Sequence, residues 1–304
     1  MEKLNVAQTI SKLLKKHIDK KRGQILGQCL TAVGWVQNTI PPQKKGVIEL
    51  SMTDTAGAGI AVGAAVAGSR PIYVMRFQSF VWLNSSPIVN HAAISKEIFG
   101  YGCPIFIRAI ASESSGGQGP LHANNFHSPF AHIPTLNVCA PMTPNEYKKI
   151  WKFFNDNNNP LFVSEHRRSY ISNIEIKNIY KKKSEATIIA ISASRFNALE
   201  AQKELNKTGI KTSLINVLWL NPFNLSKKEI ETIKKSKIAI VIDSSYEHCG
   251  ITTSIAYKVQ KLTKTNTFVL GLENRIPGVS KSYENQTPSK NKIISKIKYL
   301  LKKN

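Results

Sequence analysis

The strongest structural signal in the chain lies in residues 51–80, which read SMTDTAGAGIAVGAAVAGSRPIYVMRFQSF. Eight of the ten residues from Ala56 to Ala65 are glycine or alanine, so a helix formed there can pack closely against its neighbours. Asp54 precedes this run, and Phe80 follows the strand-like segment after it. We therefore expect a carboxylate held at a helix start, close to the end of a strand.

Three glycines of this helix partly match a dinucleotide-binding fingerprint. The spacing of Gly57, Gly59 and Gly63 differs from GxGxxG. Arg76 also stands about 20 positions further on, where that fingerprint has an acidic residue. The sequence therefore argues against a Rossmann nucleotide site.

Short apolar segments alternate with helical patterns along the first half of the chain, which predicts a parallel sheet with helices on both faces. A polar, lysine-rich stretch at 171–186 separates them from a second series of the same kind. We predict an α/β fold of two domains, 1–178 and 179–304, each with a mostly parallel sheet flanked by helices. The first-half strand segments are VIEL at 47–50, PIYVMRF at 71–77, PIFIRAIA at 104–111, LNVCAP at 136–141 and PLFVSEH at 160–166.

Composition favours a soluble protein of the reducing cytoplasm. The chain has 304 residues, of which 42% are hydrophobic, and no segment has the length of a signal peptide core or a membrane span. Its four cysteines are far apart and form no CxxC pair, which argues against a zinc site or a disulfide framework.

The net charge of +23 raises the question of nucleic-acid binding. The basic residues concentrate at the chain ends and in the central linker, with few aromatic residues among them. This distribution is typical of solvated faces, so we expect no nucleic-acid partner and favour an acidic partner protein.

Histidines are concentrated in and just after a long loop, SESSGGQGPLHANNFHS at 112–128. His122, His127 and His132 fall within eleven positions, but their spacing fits no zinc motif. The chain also lacks the GxSxG motif of serine hydrolases. The loop is therefore interpreted as a proton-transfer site that faces a bound ligand.

Several segments, in their order along the chain, resemble one enzyme family. They are AGIAVGAAVAGSRPI, Phe80, GGQGPLHANNFHSPFAHIPTLNVCAP, NNNPLFVSEH, INVLWLNP and VIDSSYEHCGI. In these segments the chain resembles the beta subunit of the thiamine-diphosphate-dependent first component of 2-oxo-acid dehydrogenase complexes. GGQGPLH followed by HIPTL is also similar to transketolase, a relative built from the same two domains.

The resemblance implies roles for four residues. Asp54 takes the position of the acidic residue that binds the aminopyrimidine ring nitrogen of thiamine diphosphate and so activates the cofactor. Phe80 takes the position of the aromatic residue that stacks on this ring. His122 matches the histidine that donates and accepts protons near the substrate. His127 is the second candidate for this role.

Two positions depart from the family pattern. The acidic residue is ordinarily Glu, and Asp54 is one methylene, about 1.5 Å, shorter, which puts cofactor activation in question. In LWLNP at 218–222, Leu218 and Asn221 replace residues that are often basic. This second change affects an inter-subunit contact or the substrate entrance.

The resemblance also implies metals and partners. Some relatives hold a structural potassium ion just before an Asn-Pro pair. Asn157 and Asn159 could contribute to such a site here, but Asn157 replaces an acidic residue, so an asparagine-rich capped loop is the preferred interpretation. The Gly-Asp-Gly motif that holds magnesium and the diphosphate is absent from the chain. We therefore expect a separate alpha-type subunit to carry the motif and Mg²⁺, in an α2β2 assembly, with a lipoyl-bearing acyltransferase as a further partner.

Three functions stay open at this point. The first is a beta-type subunit of an enzyme that decarboxylates a 2-oxo acid and passes the acyl or aldehyde fragment onward. The second is the C-terminal half of a split transketolase that moves a two-carbon ketol unit between sugars. The third is a non-catalytic partner that has lost cofactor activation through Asp54.

Overall fold

The computed structural model describes residues 3–20, 22–31, 34–42, 45–115 and 118–303. Gly116 and Gly117 of the histidine-containing loop lie outside the described residues. Within these ranges the chain forms two sheets, one of seven strands and one of four.

The larger sheet has the strand order β2-β1-β3-β4-β6-β5-β9, and all of its neighbouring strands are parallel except β5 and β9. The strands in its centre are buried along almost their whole length because helices cover both faces. The strands are β1 (Gly23–Gly27), β2 (Val47–Glu49), β3 (Arg70–Met75), β4 (Phe106–Ala111), β5 (Asn137–Cys139), β6 (Leu161–His166) and β9 (Trp219–Asn221).

The smaller sheet is wholly parallel in the order β11-β10-β7-β8. Its core is formed mainly by isoleucine, alanine and leucine side chains from the strands and from the helices packed on them. The strands are β7 (Ala186–Ile191), β8 (Thr212–Val217), β10 (Ile238–Tyr246) and β11 (Asn266–Leu272).

Ten α-helices connect or flank the strands of the described chain. The first buries Val6, Ile10 and Leu14 on one face, as their helical spacing predicts. The helices are α1 (Val6–Ile18), α2 (Asp54–Val66), α3 (Val81–Pro87), α4 (Ser95–Phe99), α5 (His127–Ala131), α6 (Pro144–Asp156), α7 (Ser194–Lys207), α8 (Lys227–Lys234), α9 (Ile251–Thr263) and α10 (Lys290–Lys303).

The predicted α/β architecture is confirmed, because both sheets are mostly parallel and flanked by helices. One connection between the halves was not foreseen. Strand β9, within the LWLNP segment, pairs antiparallel with β5 and so joins the larger sheet. The side-chain amide of Asn221 also donates to the carbonyls of Ile133 and Leu136 at 3.0 and 2.9 Å. The departure from the family pattern at Asn221 therefore lies in a segment that closes the edge of this sheet.

Candidate active site

Asp54 begins helix α2 and is partly exposed. One of its carboxylate oxygens accepts a hydrogen bond from Nδ2 of Asn84 at 3.3 Å, and the same nitrogen donates to the carbonyl of Phe80 at 2.8 Å. The buried hydroxyl of Tyr73 donates to Oδ1 of Asn84 at 2.6 Å. Burial and then the nearby Asp54 charge raise the pKa of Tyr73, so this hydroxyl stays protonated and fixes the orientation of the Asn84 amide. Asn84 thereby connects the two residues predicted to bind the cofactor ring.

The small side chains of α2 permit this arrangement. A Cβ atom on Gly57 would lie 3.2 Å from the Tyr73 hydroxyl, so a larger residue there would push the helix away from the strand. On the opposite side, Gly59 and Gly63 have open space where a side chain would be, and Ile60 is 53% exposed. The residues of α2 are mostly apolar around its whole circumference. Such a composition is typical of helices that other structural elements cover on every face.

Phe80 and His122 belong to one aromatic cluster. The ring centroid of His122 lies 4.4 Å from that of Phe77 and 6.0 Å from that of Phe80, and the two phenylalanine rings are 5.8 Å apart. Phe77 is almost buried, whereas Phe80 is partly exposed and His122 is exposed. The structure therefore brings Asp54, Phe80 and His122 into one region, with the histidine accessible to a ligand.

Two guanidinium groups border this cluster. Arg76 lies 5.5 Å from the Phe80 ring centroid, and Arg167 lies 4.4 Å from that of Phe77. Arg167 donates to the backbone carbonyl of Arg76 at 2.8 Å and also lines an open cleft of about 1060 Å³. The edge of the cluster is thus positively charged.

His127 occupies a different environment. Its ring is fully buried between Asp243 of β10, at 2.7 Å from Nε2, and Ser164 of β6, at 3.0 Å from Nδ1. A serine that contacts a histidine, which in turn contacts an aspartate, is the arrangement used in nucleophilic catalysis. Here all three side chains are buried, so a substrate cannot reach them. The geometry favours a positioning role for His127 over the catalytic role considered from the sequence.

The segment that follows His122 is anchored on the smaller sheet. Asn124 accepts a hydrogen bond from the Tyr246 hydroxyl at 2.8 Å, and Asn125 donates to the Ser244 hydroxyl at 3.0 Å. Ser245 donates to the backbone carbonyl of Asn125 at 2.9 Å. The C-terminal end of β10 therefore fixes the backbone that carries the exposed histidine.

The loop considered for a potassium ion is occupied by an arginine side chain. Nη2 of Arg70 donates to the backbone carbonyls of Phe154 and of Asn157, the latter at 2.7 Å, and Nη1 donates to the side chain of Asn158 at 2.9 Å. Asn159 lines a small surface cavity next to Pro160. A cation bound at these two carbonyls would face the guanidinium, so the residues present do not fit a potassium ion there.

Glu49, the acidic residue upstream of Asp54, does not supplement it. Glu49 accepts hydrogen bonds from the backbone of Leu30 at 3.0 Å and of Thr31 at 2.9 Å, and these bonds, against the opposing effect of burial, lower its pKa. Its carboxylate is thus committed to the turn after β1. Across the described ranges, no group of three or more His, Cys, Asp and Glu side chains is placed to hold a metal ion.

Asn84 and Arg76 were not identified from the sequence. Asn84 lies outside every motif quoted from the sequence, and its partners are up to 30 positions away. Arg76 was noted only as evidence against a nucleotide fingerprint. Neither residue lies in a local motif, so only the folded chain shows their contacts.

In the part of the chain that the structure covers, no helix is both long enough and apolar enough to cross a membrane.

Two family sequence models match the chain. The family described as "Transketolase, pyrimidine binding domain" matches residues 15–172, and "Transketolase, C-terminal domain" matches residues 177–288.

Curated relatives include beta subunits of two enzymes. The beta subunit of acetoin:2,6-dichlorophenolindophenol oxidoreductase from Cupriavidus necator is 27% identical over 227 residues, which are 70% of this chain and 66% of that protein. The pyruvate dehydrogenase E1 component subunit beta from Rickettsia felis is 26% identical over 272 residues, which are 84% of this chain and 83% of that protein.

Solved structures share the fold. A split-gene transketolase, described as an inactive beta4 tetramer, superimposes with a TM-score of 0.75 at 14% identity, over 99% of each chain. The transketolase of Campylobacter jejuni superimposes with a TM-score of 0.76 at 17% identity, over 97% of this chain and 46% of that one. The resemblance read from the motifs is confirmed: the protein belongs to the transketolase pyrimidine-binding family and carries a transketolase C-terminal domain after that domain.

Proposed function

We propose that this chain is a beta-type subunit of a heteromeric thiamine-diphosphate enzyme that decarboxylates a 2-oxo acid and transfers the acyl or aldehyde fragment. The observation that carries the proposal is the link through Asn84 between Asp54 and Phe80, beside the exposed His122. The relatives named as pyruvate dehydrogenase and acetoin oxidoreductase beta subunits favour this reaction class.

When bound, thiamine diphosphate supplies the electron sink for the electron pair released as CO2 leaves. Asp54 would hold a proton at the aminopyrimidine ring nitrogen, and Asn84 limits the directions in which its carboxylate can point. The Phe80 ring would pack against the pyrimidine. The exposed imidazole of His122 would donate or accept protons at the substrate.

An alpha-type subunit would complete the site. The chain lacks a Gly-Asp-Gly motif, so magnesium and the diphosphate would be held by the partner, in an α2β2 assembly. Apolar side chains left exposed on α2 to α4 suit such an interface. They are Ile60, Trp82, Leu83, Ile98 and Phe99, each more than half exposed.

The split-gene transketolase is described as an inactive beta4 tetramer, which supports a need for a second subunit. A lipoyl-bearing acyltransferase would then accept the acyl group from the complete enzyme. The chain's net charge of +23 suits an acidic partner surface.

A split transketolase is the second candidate. The GPLH motif at 119–122 and the match over 99% of a split-gene transketolase favour it. Because that match is only 14% identical, it supports the fold and leaves the substrate to experiment.

The decisive experiment is co-purification with a chain of the same organism that carries the Gly-Asp-Gly motif, followed by assays with thiamine diphosphate and Mg²⁺. We expect turnover of a 2-oxo acid with an artificial electron acceptor and no turnover of a ketose phosphate. The reverse pattern would establish the split transketolase. The Asp54→Ala variant should abolish the activity, and Asp54→Glu should retain it. A complex that is inactive until Asp54→Glu is introduced would instead support the non-catalytic role.

A further inference from the structure

Arg76 is a nearly buried cation without a counter-ion. Its side chain is 7% exposed, yet no Asp or Glu among the described residues forms an ion pair with it. The other two arginines that are as deeply buried are both paired: Arg108 with Glu165 at 2.7 Å and Arg195 with Glu146 at 2.7 Å. A buried charge without a partner is costly, so the arrangement at Arg76 calls for an anion.

The polar contacts of Arg76 leave donors unused. Nη1 donates to Oε1 of Gln28 at 3.0 Å, and Nη2 contacts the sulfur of Met52 at 3.7 Å. Within the described ranges, Nε of Arg76 and Nε2 of Gln28 are both buried and have no hydrogen-bond partner. Two unpaired donors in one hydrogen-bonded pair of side chains indicate a missing acceptor.

The surroundings allow a ligand to reach these donors. The guanidinium packs on the rings of Trp35, with 5.0 Å to its centroid, and of Phe80, with 5.5 Å. Met52, which contacts the guanidinium, is 65% exposed, and an unbranched side chain of this kind can move aside. Phe80 also connects Arg76 to the aromatic cluster that contains His122.

We propose that Arg76 and Gln28 bind a carboxylate that the substrate keeps throughout the reaction. The inference rests on the proposed function, in which a 2-oxo acid reacts beside His122. A guanidinium bonded to the departing carboxylate would stabilise the anionic ground state relative to CO2 and so oppose the reaction. The bound group is therefore a second acidic group, and the substrate class is a 2-oxo acid with an acidic side chain. The guanidinium fork and the neighbouring carboxamide together present several N–H donors to a carboxylate.

The first test measures binding to the full chain, without a partner subunit. Calorimetry should show binding of 2-oxoglutarate, with 2-oxovalerate, of the same chain length, about 10- to 100-fold weaker. Arg76→Met should remove this difference. Because Trp35 packs on Arg76, 2-oxoglutarate should also change the tryptophan fluorescence, and Trp35→Phe should lose this signal but keep the heat of binding.

A second variant tests the proposal even if Arg76→Met does not fold. Gln28→Glu places a carboxylate within reach of the guanidinium, so it should raise the melting temperature and abolish 2-oxoglutarate binding. Equal binding of both 2-oxo acids, tighter binding of inorganic phosphate than of 2-oxoglutarate, or unchanged binding in Gln28→Glu would each overturn the proposal.

The second test uses the complex with the alpha-type subunit, thiamine diphosphate and Mg²⁺. We expect kcat/KM for 2-oxoglutarate to exceed that for 2-oxovalerate about 10- to 100-fold, and Arg76→Met to raise the KM for 2-oxoglutarate far more than the KM for 2-oxovalerate. A complex that turns over 2-oxovalerate equally well would refute the carboxylate site and leave the proposed function standing. Binding through Arg76 in a complex inactive on all 2-oxo acids would refute the proposed function and leave the carboxylate site standing.

Discussion

The side-chain nitrogen of Asn84 donates to the Asp54 carboxylate at 3.3 Å, from a position that is itself fixed by the Tyr73 hydroxyl. Asn84 is fully buried, although the carboxylate it contacts is partly exposed. A buried amide with a protonated donor on its oxygen cannot easily turn over. The orientation of Asp54 is therefore determined by residues that would not themselves touch a ligand.

We expect Asn84→Ala to lower kcat of the assembled enzyme about tenfold or more, because Asp54 loses its fixed direction. The same change removes the short hydrogen bond of the Tyr73 hydroxyl, which keeps only a 3.4 Å contact with the Asp54 carbonyl, and lowers the free energy of unfolding by about 1–3 kcal/mol. Steady-state kinetics of the complex and urea unfolding of the chain measure the two effects. Tyr73→Phe is the companion variant: it removes the hydroxyl that fixes the Asn84 amide but leaves the amide itself, so kcat should fall less than in Asn84→Ala. An unchanged kcat in Asn84→Ala would show that Asn84 does not orient the carboxylate.

The buried pair of His127 and Asp243 should connect the two sheets energetically. Asp243→Ala leaves the buried Nε2 of His127 without its hydrogen-bond partner, and we expect the free energy of unfolding to fall by about 1–3 kcal/mol. A double-mutant cycle with His127→Ala isolates the coupling between the two side chains. Asp156→Ala, at an exposed ion pair with Lys152, should change stability by less than about 0.5 kcal/mol. If the losses of unfolding free energy in the two single variants add up to the loss in the double variant, the two side chains are not energetically coupled.

Stability should depend on pH through His17. This residue of α1 is buried, and it donates from Nε2 to the carbonyl of Arg70 at 2.6 Å. Burial lowers the pKa of His17 to about 4, with the charges of Lys20 and Arg70 adding to the effect and the hydrogen bond opposing it. The unfolded chain therefore takes up a proton near the ordinary value of 6.5, before the folded chain does.

The contribution of the uncharged His17 to the free energy of unfolding is fully present above about pH 6.5. It is lost as the pH falls towards 4. Between about pH 7.5 and about pH 5, it amounts to roughly 2 kcal/mol of the free energy of unfolding. Urea unfolding at both values should show a smaller loss in His17→Gln than in the natural chain. The exposed His91 provides the control, and His91→Gln should lose as much as the natural chain. Equal losses in all three proteins would argue against a proton-linked role for His17.

The architecture could be predicted because it depends on local patterns. Alternating buried strands and amphipathic helices give the α/β class, and the small residues of 56–65 give a closely packed helix. The short strand β9 could not be predicted, because three residues carry no periodic signal and pairing with β5 depends on the folded sheet.

The site was only partly predictable for the same reason. Asp54, Phe80 and His122 lie in motifs that the family resemblance could align, and the structure brings them into one region. His127 lies in the same motif, yet its partner Asp243 is 116 positions away, and that contact buries the ring. A sequence pattern identifies which residue types are present, but long-range contacts decide which of them face a ligand.

Arg70 leads to a prediction about potassium. The backbone carbonyls of Phe154 and Asn157 lie at the C-terminal end of α6, where the helix dipole is negative, and the Arg70 guanidinium already bonds to both. The natural chain should therefore have the same melting temperature in potassium chloride and choline chloride at equal ionic strength. Arg70→Met removes these bonds and should lower the free energy of unfolding by about 2 kcal/mol.

The freed carbonyls of the Arg70→Met variant could then accept a cation, so potassium chloride should restore part of the lost stability and choline chloride should not. Arg22→Met, at an exposed position, is the control and should respond to neither salt. A melting temperature of the natural chain that rises with potassium alone would show that an ion binds beside the guanidinium. In that case the loop at 154–159 would hold two cations, and Arg70 would serve only to close the end of α6.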